Sequence, residues 1–305
     1  LDACGTCDAC LLTEAQTHPD LHLIYRELIK HHPDAAVRGR KGIDLGVAVI
    51  REFVIDRVGL KPYLGRAKVF IVREAETMTN AAQNALLKTL EEPPGTTFLI
   101  LIVSALEAML PTTRSRCQLI PFGLLPTAFI DERLTATVED ASEEQARWCA
   151  GVAAGSLGVA LRHLEDGLID HNNRLAEMLF NLPQASPTEL SPAIIDQAKE
   201  LGDHYRKRDK DISDTEARRR GIKSLLGLMA NWYRDVLTLS VGAAAEPVNV
   251  AHREQLDHLA DSLSVRGAQQ AVRAIATAER QLDLNANVQL CIDGLMIRLA
   301  RIAGP

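Results

Sequence analysis

Residues 68–117 read KVFIVREAETMTNAAQNALLKTLEEPPGTTFLILIVSALEAMLPTTRSRC, and this stretch decides the fold. It contains two apolar runs, residues 69–72 and 98–103, of the kind that parallel strands show when both of their faces are covered. Between the runs, apolar residues at helical spacing predict a helix that Thr79 caps and a Pro-Pro pair ends. This alternation of strand and helix predicts an α/β fold with a parallel sheet and right-handed crossovers.

The flanking residues extend the pattern in both directions. Upstream, residues 21–25 predict a short strand, and Asp44 is predicted to cap a helix whose apolar residues lie three to four positions apart. Residues 29–42 are rich in His, Arg and Lys and predict an exposed loop. Downstream, residues 118–122 predict a last strand, and beyond Pro126 almost every segment predicts helix.

The composition is that of an ordinary globular protein, with 305 residues of which 47% are apolar and 24% charged. A formal net charge of -6 argues against a protein that grips nucleic acid through a wholly basic surface. No apolar run approaches the roughly 20 residues of a membrane helix, so a soluble protein is expected. Nothing indicates a disulfide-rich secreted domain, so the expected location is cytoplasmic. The chain has neither an initiator Met nor a secretory signal, so we expect a fragment that lacks its natural start.

Three cysteines near the start are each separated by two residues: Cys4, Cys7 and Cys10. Thiols at this spacing hold zinc in structural sites, which usually have four ligands. The favoured interpretation is a structural zinc site, and the alternatives are a redox pair or unliganded core thiols. His18 and His22 are candidates for the fourth ligand, although a cysteine upstream of Leu1 is preferred.

Two charged pairs in the opening stretch have no evident part in the fold. Glu91 and Glu92 lie at the C-terminal end of the predicted helix, where the helix dipole disfavours anions by roughly a few tenths of a kcal/mol. They are either two solvated surface acids or a pair with a function. Arg114 and Arg116 follow on a predicted turn, where planar guanidinium groups can bind phosphate in a bidentate manner. Taken alone, both arginines are best interpreted as surface charges.

Residues 84–94 read NALLKTLEEPP, and the triplet SRC follows at residues 115–117. This combination closely resembles the clamp loader of bacterial DNA polymerase III, whose subunits belong to the AAA+ family. The three cysteines resemble the end of that family's zinc module, whose first cysteine lies further upstream, and residues 18–20 resemble the segment that follows it. The likeness covers most of the chain, strongly at residues 4–122 and weakly after residue 170.

The resemblance implies an architecture that is α/β and then all-α. Residues 1–126 are expected to form an N-terminally truncated, RecA-like AAA+ nucleotide-binding-type domain with the zinc module. Residues 127–172 are expected to form a small helical lid, and residues 173–305 a helical collar for oligomerisation.

The magnesium position of the family decides which type of subunit the chain resembles. ATPases of the family carry Asp-Glu after the corresponding strand, whereas this chain has Arg73 and Glu74. A cation at a metal-ligand position opposes the binding of magnesium. Ser104 stands at the family's sensor position, so Glu74 and Ser104 would be the remnants of a degenerate nucleotide site in which ATP binding is doubtful. The family places its phosphate loop upstream of the zinc module, before Leu1.

This pattern resembles the delta-prime subunit, the stator of the clamp loader, which is not an active ATPase by itself. In the family, the arginine of the SRC triplet acts in trans on the γ-phosphate of a neighbouring motor subunit. The resemblance therefore implies that Arg116 is a trans arginine finger, with Arg114 as a weaker candidate.

The implied partners are gamma/tau-type and delta-type clamp-loader subunits, and through the complex the sliding clamp and primer–template DNA, with no membrane partner. The implied function is to help to load the clamp on primed DNA during replication. The first alternative is an ATP-hydrolysing motor subunit of the gamma/tau type. The second is a zinc-containing DNA-binding protein.

Overall fold

The structure is a computed structural model, and it describes residues 3–39, 42, 44–138, 141–182, 186–209, 212–284 and 286–303. The chain divides into two compact units, Leu1–Phe122 and Gly123–Pro305. The predicted separation of a lid at residues 127–172 from a collar at residues 173–305 stays a prediction. In the described ranges, no helix combines the length and the apolar character that crossing a membrane requires.

The first unit is built on a parallel sheet whose described strands lie in the order β1-β2-β3. These strands are β1 (Leu21–Ile24), β2 (Lys68–Val72) and β3 (Thr97–Leu101). Leu21 lies opposite Val69 in the first ladder, and Lys68 lies opposite Thr97 in the second. The prediction of an α/β fold with a parallel sheet is confirmed.

The described helices of the first unit are α1 (Asp8–Glu14), α2 (Ala35–Arg38), α3 (Val47–Ile50), α4 (Asp56–Val58), α5 (Asn80–Glu91) and α6 (Pro111–Arg114). A π-helical turn, Arg51–Ile55, joins α3 to α4, and 3₁₀ turns lie at Arg26–His31, Ala75–Thr77 and Leu106–Ala108. The predicted loop at residues 29–42 therefore contains α2 and the end of a 3₁₀ turn. Residues 40 and 41 of that loop lie outside the described ranges.

Helix α5 is the helix that the sequence predicted best. The hydroxyl of Thr79 accepts a hydrogen bond from the Ala82 N–H at 3.2 Å, as an N-cap residue does. The helix ends at Glu91, before the Pro-Pro pair, because proline cannot continue it. Ala82 and Leu86 on its inner face are fully buried.

The helix around residue 50 is also present, but its predicted cap is wrong. Helix α3 begins at Val47 with Gly46 at the N-cap, and no side chain caps it, so Asp44 lies outside the cap position. Its predicted apolar face is correct, since Ile50 and Val54 are fully buried. These two side chains belong to the same core cluster as β2 and α5.

The core of the first unit lies between the sheet and these helices. Phe70 and Val72 of β2 are fully buried, as are Ile50 and Leu86. Burying side chains of this size stabilises a fold by roughly 1.5–3 kcal/mol each. The core thereby fixes the carboxyl end of β2, which leads directly into the candidate site.

Two expectations about the sheet are wrong. Strand β3 is not covered on both faces, because Phe98 and Ile100 are 58% and 46% exposed. Residues 118–122 do not form the predicted last strand, and among the described residues they pair with no other strand. The side chains of Phe98 and Ile100 point to the same face of β3 and leave that face open, and β3 is the edge of the described sheet. An apolar run shows β propensity, but it does not show how many faces are covered.

All of the regular secondary structure described in the second unit is helical. Its helices are α7 (Thr127–Thr137), α8 (Glu143–Val152), α9 (Leu157–Glu165), α10 (Leu168–Asn181), α11 (Pro187–Arg208), α12 (Asp214–Ser240), α13 (Arg253–Ser262), α14 (Val265–Asp283) and α15 (Val288–Ala303). Trp232 and Tyr233 of α12 are 1% and 3% exposed, so they pack between helices. The predicted all-α part of the fold is confirmed.

A chain of hydrogen bonds crosses the core of the second unit. The side chain of Asn249 accepts hydrogen bonds from Trp148 Nε1 at 3.1 Å and from Asn172 Nδ2 at 2.8 Å. Asn172 Oδ1 accepts one from Trp232 Nε1 at 2.9 Å, and Asp235 accepts one from Asn249 Nδ2 at 2.8 Å. Because unpaired buried polar groups are costly, this satisfied chain specifies how α8, α10 and α12 pack together.

Candidate functional site

The three N-terminal cysteines lie close together in the structure. The Sγ atoms of Cys4, Cys7 and Cys10 are all within 4.8 Å of one another, and no other such group occurs in the described residues. The Sγ atoms of Cys4 and Cys10 are 3.8 Å apart. A tetrahedral zinc ion with Zn–S bonds of about 2.3 Å separates its sulfur ligands by about 3.8 Å. The arrangement therefore fits a zinc ion that takes three of its four ligands from this segment.

The backbone around these cysteines favours metal binding. Gly5 adopts a φ of 72°, a left-handed conformation that glycine takes readily, and this turn brings the thiols together. The backbone N–H groups of Thr6 and Cys7 lower the pKa of Cys4 to about 6. Cys4 is therefore largely a thiolate at neutral pH, and the thiolate is the form that binds metals.

Neither candidate histidine joins the cysteine group. His18 Nδ1 accepts a hydrogen bond from the Asp20 N–H at 3.1 Å. The ring of His22 stacks on Phe70 with a centroid separation of 4.5 Å. A fourth ligand from upstream of Leu1 stays a prediction.

Asp20, which precedes β1, binds the loop that precedes β2. The sequence did not predict this role. It is 2% exposed, and its carboxylate accepts hydrogen bonds from the N–H groups of Tyr63 at 2.6 Å, Leu64 at 2.8 Å and Gly65 at 2.7 Å. Burial raises the pKa of Asp20, but hydrogen bonds from these three N–H groups outweigh burial and lower the pKa below its ordinary value. The carboxylate therefore holds the loop before β2 against the start of β1.

Replacing Asp20 with asparagine is expected to lower the free energy of unfolding at pH 7 by roughly 2–4 kcal/mol, because three N–H groups lose a charged acceptor. The folded-state pKa lies below the unfolded one, so this stabilisation is full above the unfolded pKa and disappears as the pH falls through the folded pKa. Urea denaturation at pH 7 and at about pH 3 measures the difference. The exposed Asp44→Asn is the matched control. An equal difference at both pH values would contradict the role of the carboxylate charge.

Arg73 and Glu74, the residues that the sequence predicts to stand at the family's magnesium position, do not form an acid pair. Arg73 follows β2 and is exposed, and Glu74 after it has a φ of 49° in the left-handed region. Such a conformation costs a non-glycine residue about 1–3 kcal/mol and is often found at functional sites. Glu74 Oε2 accepts a hydrogen bond from Arg26 Nε at 2.9 Å, which makes an ion pair within the chain. The acid that remains is therefore already paired with a cation.

Ser104 lies beyond the end of β3 and is exposed. It lines a cavity of about 730 Å³ together with Val103, Arg114, Ser115 and the segment at residues 117–122. Glu74 and Arg116 do not line this cavity. The structure thus places Glu74 and Ser104 after neighbouring strands, but it gives them separate surroundings.

Arg116 follows α6 on an exposed turn. Its backbone N–H donates to Thr113 O at 3.2 Å. Its guanidinium Nε donates to Glu91 Oε1, and Nη1 donates to Thr112 O at 2.8 Å. The side chain is 32% exposed, so it lies at the surface while both of its edges have partners.

Gln83 supports the candidate site structurally, and the sequence interpretation missed it. It is fully buried, and its Oε1 accepts hydrogen bonds from the Leu110 N–H at 2.8 Å and from the Thr113 hydroxyl at 3.3 Å. Its Nε2 donates to Met78 O at 3.2 Å. Gln83 therefore joins α5 to α6, the helix that leads to Arg116. The available signal was a single amide beside the apolar positions of the predicted helix.

Comparisons with known proteins identify relatives of this chain. Residues 1–125 match the protein family described as DNA polymerase III, delta subunit. The delta' subunit of DNA polymerase III from Escherichia coli is 37% identical over 159 residues, which are 52% of this chain and 43% of that protein. The delta' subunit from Bacillus subtilis is 27% identical over 298 residues, which are 98% of this chain and 81% of that protein. The chain resembles the clamp-loader delta-prime subunits.

Proteins named gamma/tau subunits also resemble part of this chain. A gamma/tau subunit of DNA polymerase III from Mycobacterium tuberculosis is 39% identical over 123 residues, 40% of this chain and 19% of that protein. A solved structure of a gamma subunit-related protein from Thermotoga maritima aligns with 93% of this chain and 84% of its own, at 20% identity and a TM-score of 0.46. Sequence identity alone therefore does not separate the delta-prime type from the motor type, and the residues of the site have to do so.

Proposed function

We propose that this chain acts as a delta-prime-type subunit of a DNA polymerase III clamp loader. It assembles with gamma/tau-type motor subunits and a delta-type subunit, and the complex loads the sliding clamp on primed DNA. The delta' relative that aligns with 98% of the chain supports this proposal. The observation that carries it is the contrast between two exposed arginines: Arg73 stands at the magnesium position, while Arg116 is kept on an anchored turn.

Two features of the site argue that the chain does not hydrolyse ATP. Arg73 places a positive charge where magnesium would need a carboxylate, and like charges repel. Glu74, which would orient the attacking water in an ATPase, is paired with Arg26 instead. ATP hydrolysis needs both a bound metal ion and a positioned water. Arg73 opposes the first requirement, and the ion pair of Glu74 removes the second.

Arg116 is proposed to act on the ATP of a neighbouring motor subunit. Its guanidinium is near the surface, planar and permanently charged, which suits binding to the γ-phosphate. Gln83 supports this role, because it fixes α6 on α5 and thereby sets the starting point of the turn. An arginine finger stabilises the charge that develops in the transition state of phosphoryl transfer.

The cysteine group is proposed to hold a structural zinc ion. Cys4, Cys7 and Cys10 would supply three thiolates, and with a fourth ligand the coordination shell is closed to substrate. The ion would supply cross-linking of the first residues and no chemistry of its own. Helix α1, which follows Cys7, has no buried residue, so it gains its order from such a cross-link rather than from a core.

The full-length protein alone is expected to hydrolyse ATP no faster than a protein-free control, whereas its complex with motor subunits hydrolyses ATP and loads the clamp. Glu74→Gln is expected to change the ATPase rate of the complex by less than about twofold, because no metal-dependent step uses this carboxylate. A coupled phosphate-release assay measures both rates. If the protein alone hydrolyses ATP and Glu74→Gln abolishes that activity, the protein is a motor subunit instead.

The alternative of a zinc-containing DNA-binding protein makes a different prediction. It requires tight, salt-sensitive binding of DNA by the isolated protein, because phosphate contacts release counterions. The net charge of -6 favours weak binding instead. Titration of primed DNA with the isolated full-length protein at about 50 and 200 mM salt separates the two functions.

A further inference from the structure

The contact between Glu91 and Arg116 occupies the guanidinium that the proposed function requires. Glu91 Oε1 accepts the hydrogen bond from Arg116 Nε and forms an ion pair with Nη2. Nη1 donates to Thr112 O at 2.8 Å. Every nitrogen of the guanidinium thus has a partner within the chain. Arg116 cannot offer its bidentate edge to a phosphate without first leaving Glu91.

The position of Glu91 makes this contact informative. Glu91 is the last residue of α5, where the helix dipole disfavours an anion, so the local helix gains nothing from a carboxylate there. The neighbouring Glu92 is exposed and, in the described structure, is not a partner of Arg116. Glu91 and Glu92 are both disfavoured by the dipole of α5, but only Glu91 contacts Arg116 in the described structure.

We propose that Glu91 is a positioning residue, a counter-ion that keeps Arg116 within this chain until a neighbouring subunit's triphosphate replaces it. This inference rests on the proposed trans function of Arg116. The side chains of Glu91 and Arg116 are 46% and 32% exposed, so their ion pair is weak and reversible. A bound triphosphate carries several negative charges and accepts both edges of the guanidinium, so it displaces a single carboxylate.

The surrounding contacts allow this exchange without a change of fold. Gln83 fixes α6 on α5 through Leu110 and Thr113, so the backbone next to Arg116 keeps its place. Glu91 belongs to the same helix as Gln83. Only the side chain of Arg116 has to rotate between the carboxylate and the phosphate. After hydrolysis, loss of the γ-phosphate returns the guanidinium to Glu91.

The test uses full-length protein with Glu91→Gln, reconstituted with motor and delta-type subunits, and ATP as the varied substrate. Removing the competing charge is expected to lower the KM for ATP at the neighbouring site up to about fivefold, the range of an exposed ion pair, while kcat stays within about twofold. The matched control is Glu92→Gln, which removes the same charge from the next position and is expected to leave both constants unchanged.

The outcomes separate this inference from the proposed function on which it rests. An unchanged or raised KM, or a lower kcat, in Glu91→Gln would overturn the counter-ion role if Arg116→Ala still slows hydrolysis. A lower KM that persists when Glu91→Gln is combined with Arg116→Ala would also overturn it, because the effect would not pass through the arginine. No effect of Arg116→Ala alone would instead remove the proposed finger itself.

Discussion

Replacing Arg116 with alanine is expected to slow ATP hydrolysis at the neighbouring motor subunit by about 10³-fold or more, the contribution of an arginine finger to phosphoryl transfer. The reason is that no other group replaces a planar cation at the γ-phosphate in the transition state. The measurement is single-turnover hydrolysis in a reconstituted complex in which only that motor subunit has an intact site. Other sites would otherwise mask the loss with their own turnover.

The variant is expected to fold and assemble normally. The Arg116 side chain is partly exposed at the surface, and loss of its ion pair with Glu91 costs about 1 kcal/mol or less. Arg114→Ala is the matched control, since it removes an equal charge from the exposed end of α6, two positions away, and is expected to leave the rate within about twofold. Arg116→Lys keeps the charge but loses the bidentate donors, so it is expected to recover little of the rate.

Unchanged hydrolysis by an assembled Arg116→Ala complex would exclude the finger. Loss of hydrolysis together with loss of assembly would exclude it as well, because Arg116 would then be an interface residue. Gel filtration and thermal denaturation of the reconstituted complex distinguish these results. The finger is supported only if the Arg116→Ala complex assembles normally and hydrolyses ATP slowly.

The parts of the fold that local chemistry determines were predictable from the sequence. Helix α5 was placed correctly because its cap, its apolar face and its Pro-Pro stop lie within fifteen residues of one another and agree. The parallel sheet was predictable because continuous apolar runs alternate with a helix. The cysteine group was predictable because its ligands are only three residues apart, so the turn alone brings them together.

The features that the sequence did not predict depend on residues that are far apart along the chain. Asp20 binds the N–H groups of residues 63–65, and no local pattern marks a carboxylate for a distant loop. The exposure of Phe98 depends on what lies beside β3, which the strand itself does not encode. The sequence shows that Glu91 is unfavourable at a helix end, but its partner Arg116 is 25 positions away. Long-range pairs of polar groups thus decide the candidate site, and periodicity carries no information about them.

Replacing Cys7 with serine in the full-length protein is expected to weaken zinc binding by about 10²- to 10³-fold. A structural zinc ion with four ligands binds with an apparent free energy of about 10–16 kcal/mol, so one ligand contributes roughly a quarter of it. Metal content after dialysis against a competing chelator measures the change. Cys117→Ser is the matched control, because Cys117 lies outside the cysteine group and is expected to leave the zinc content unaltered. Equal zinc content in both variants would refute the site.

The structural consequence of zinc loss is expected to be local, because the segment that holds the cysteines contributes nothing to the core. Helix α1 has seven residues and no buried side chain, and isolated helices shorter than about 12 residues are marginal in water. Removing zinc should therefore expose residues 3–16 to limited proteolysis, while the sheet, whose core excludes this segment, keeps its melting temperature. A parallel loss of the whole first unit would show that the cysteines stabilise the sheet directly. The core residues around Phe70 and Leu86 argue for the local outcome, since all their packing lies downstream of the cysteines.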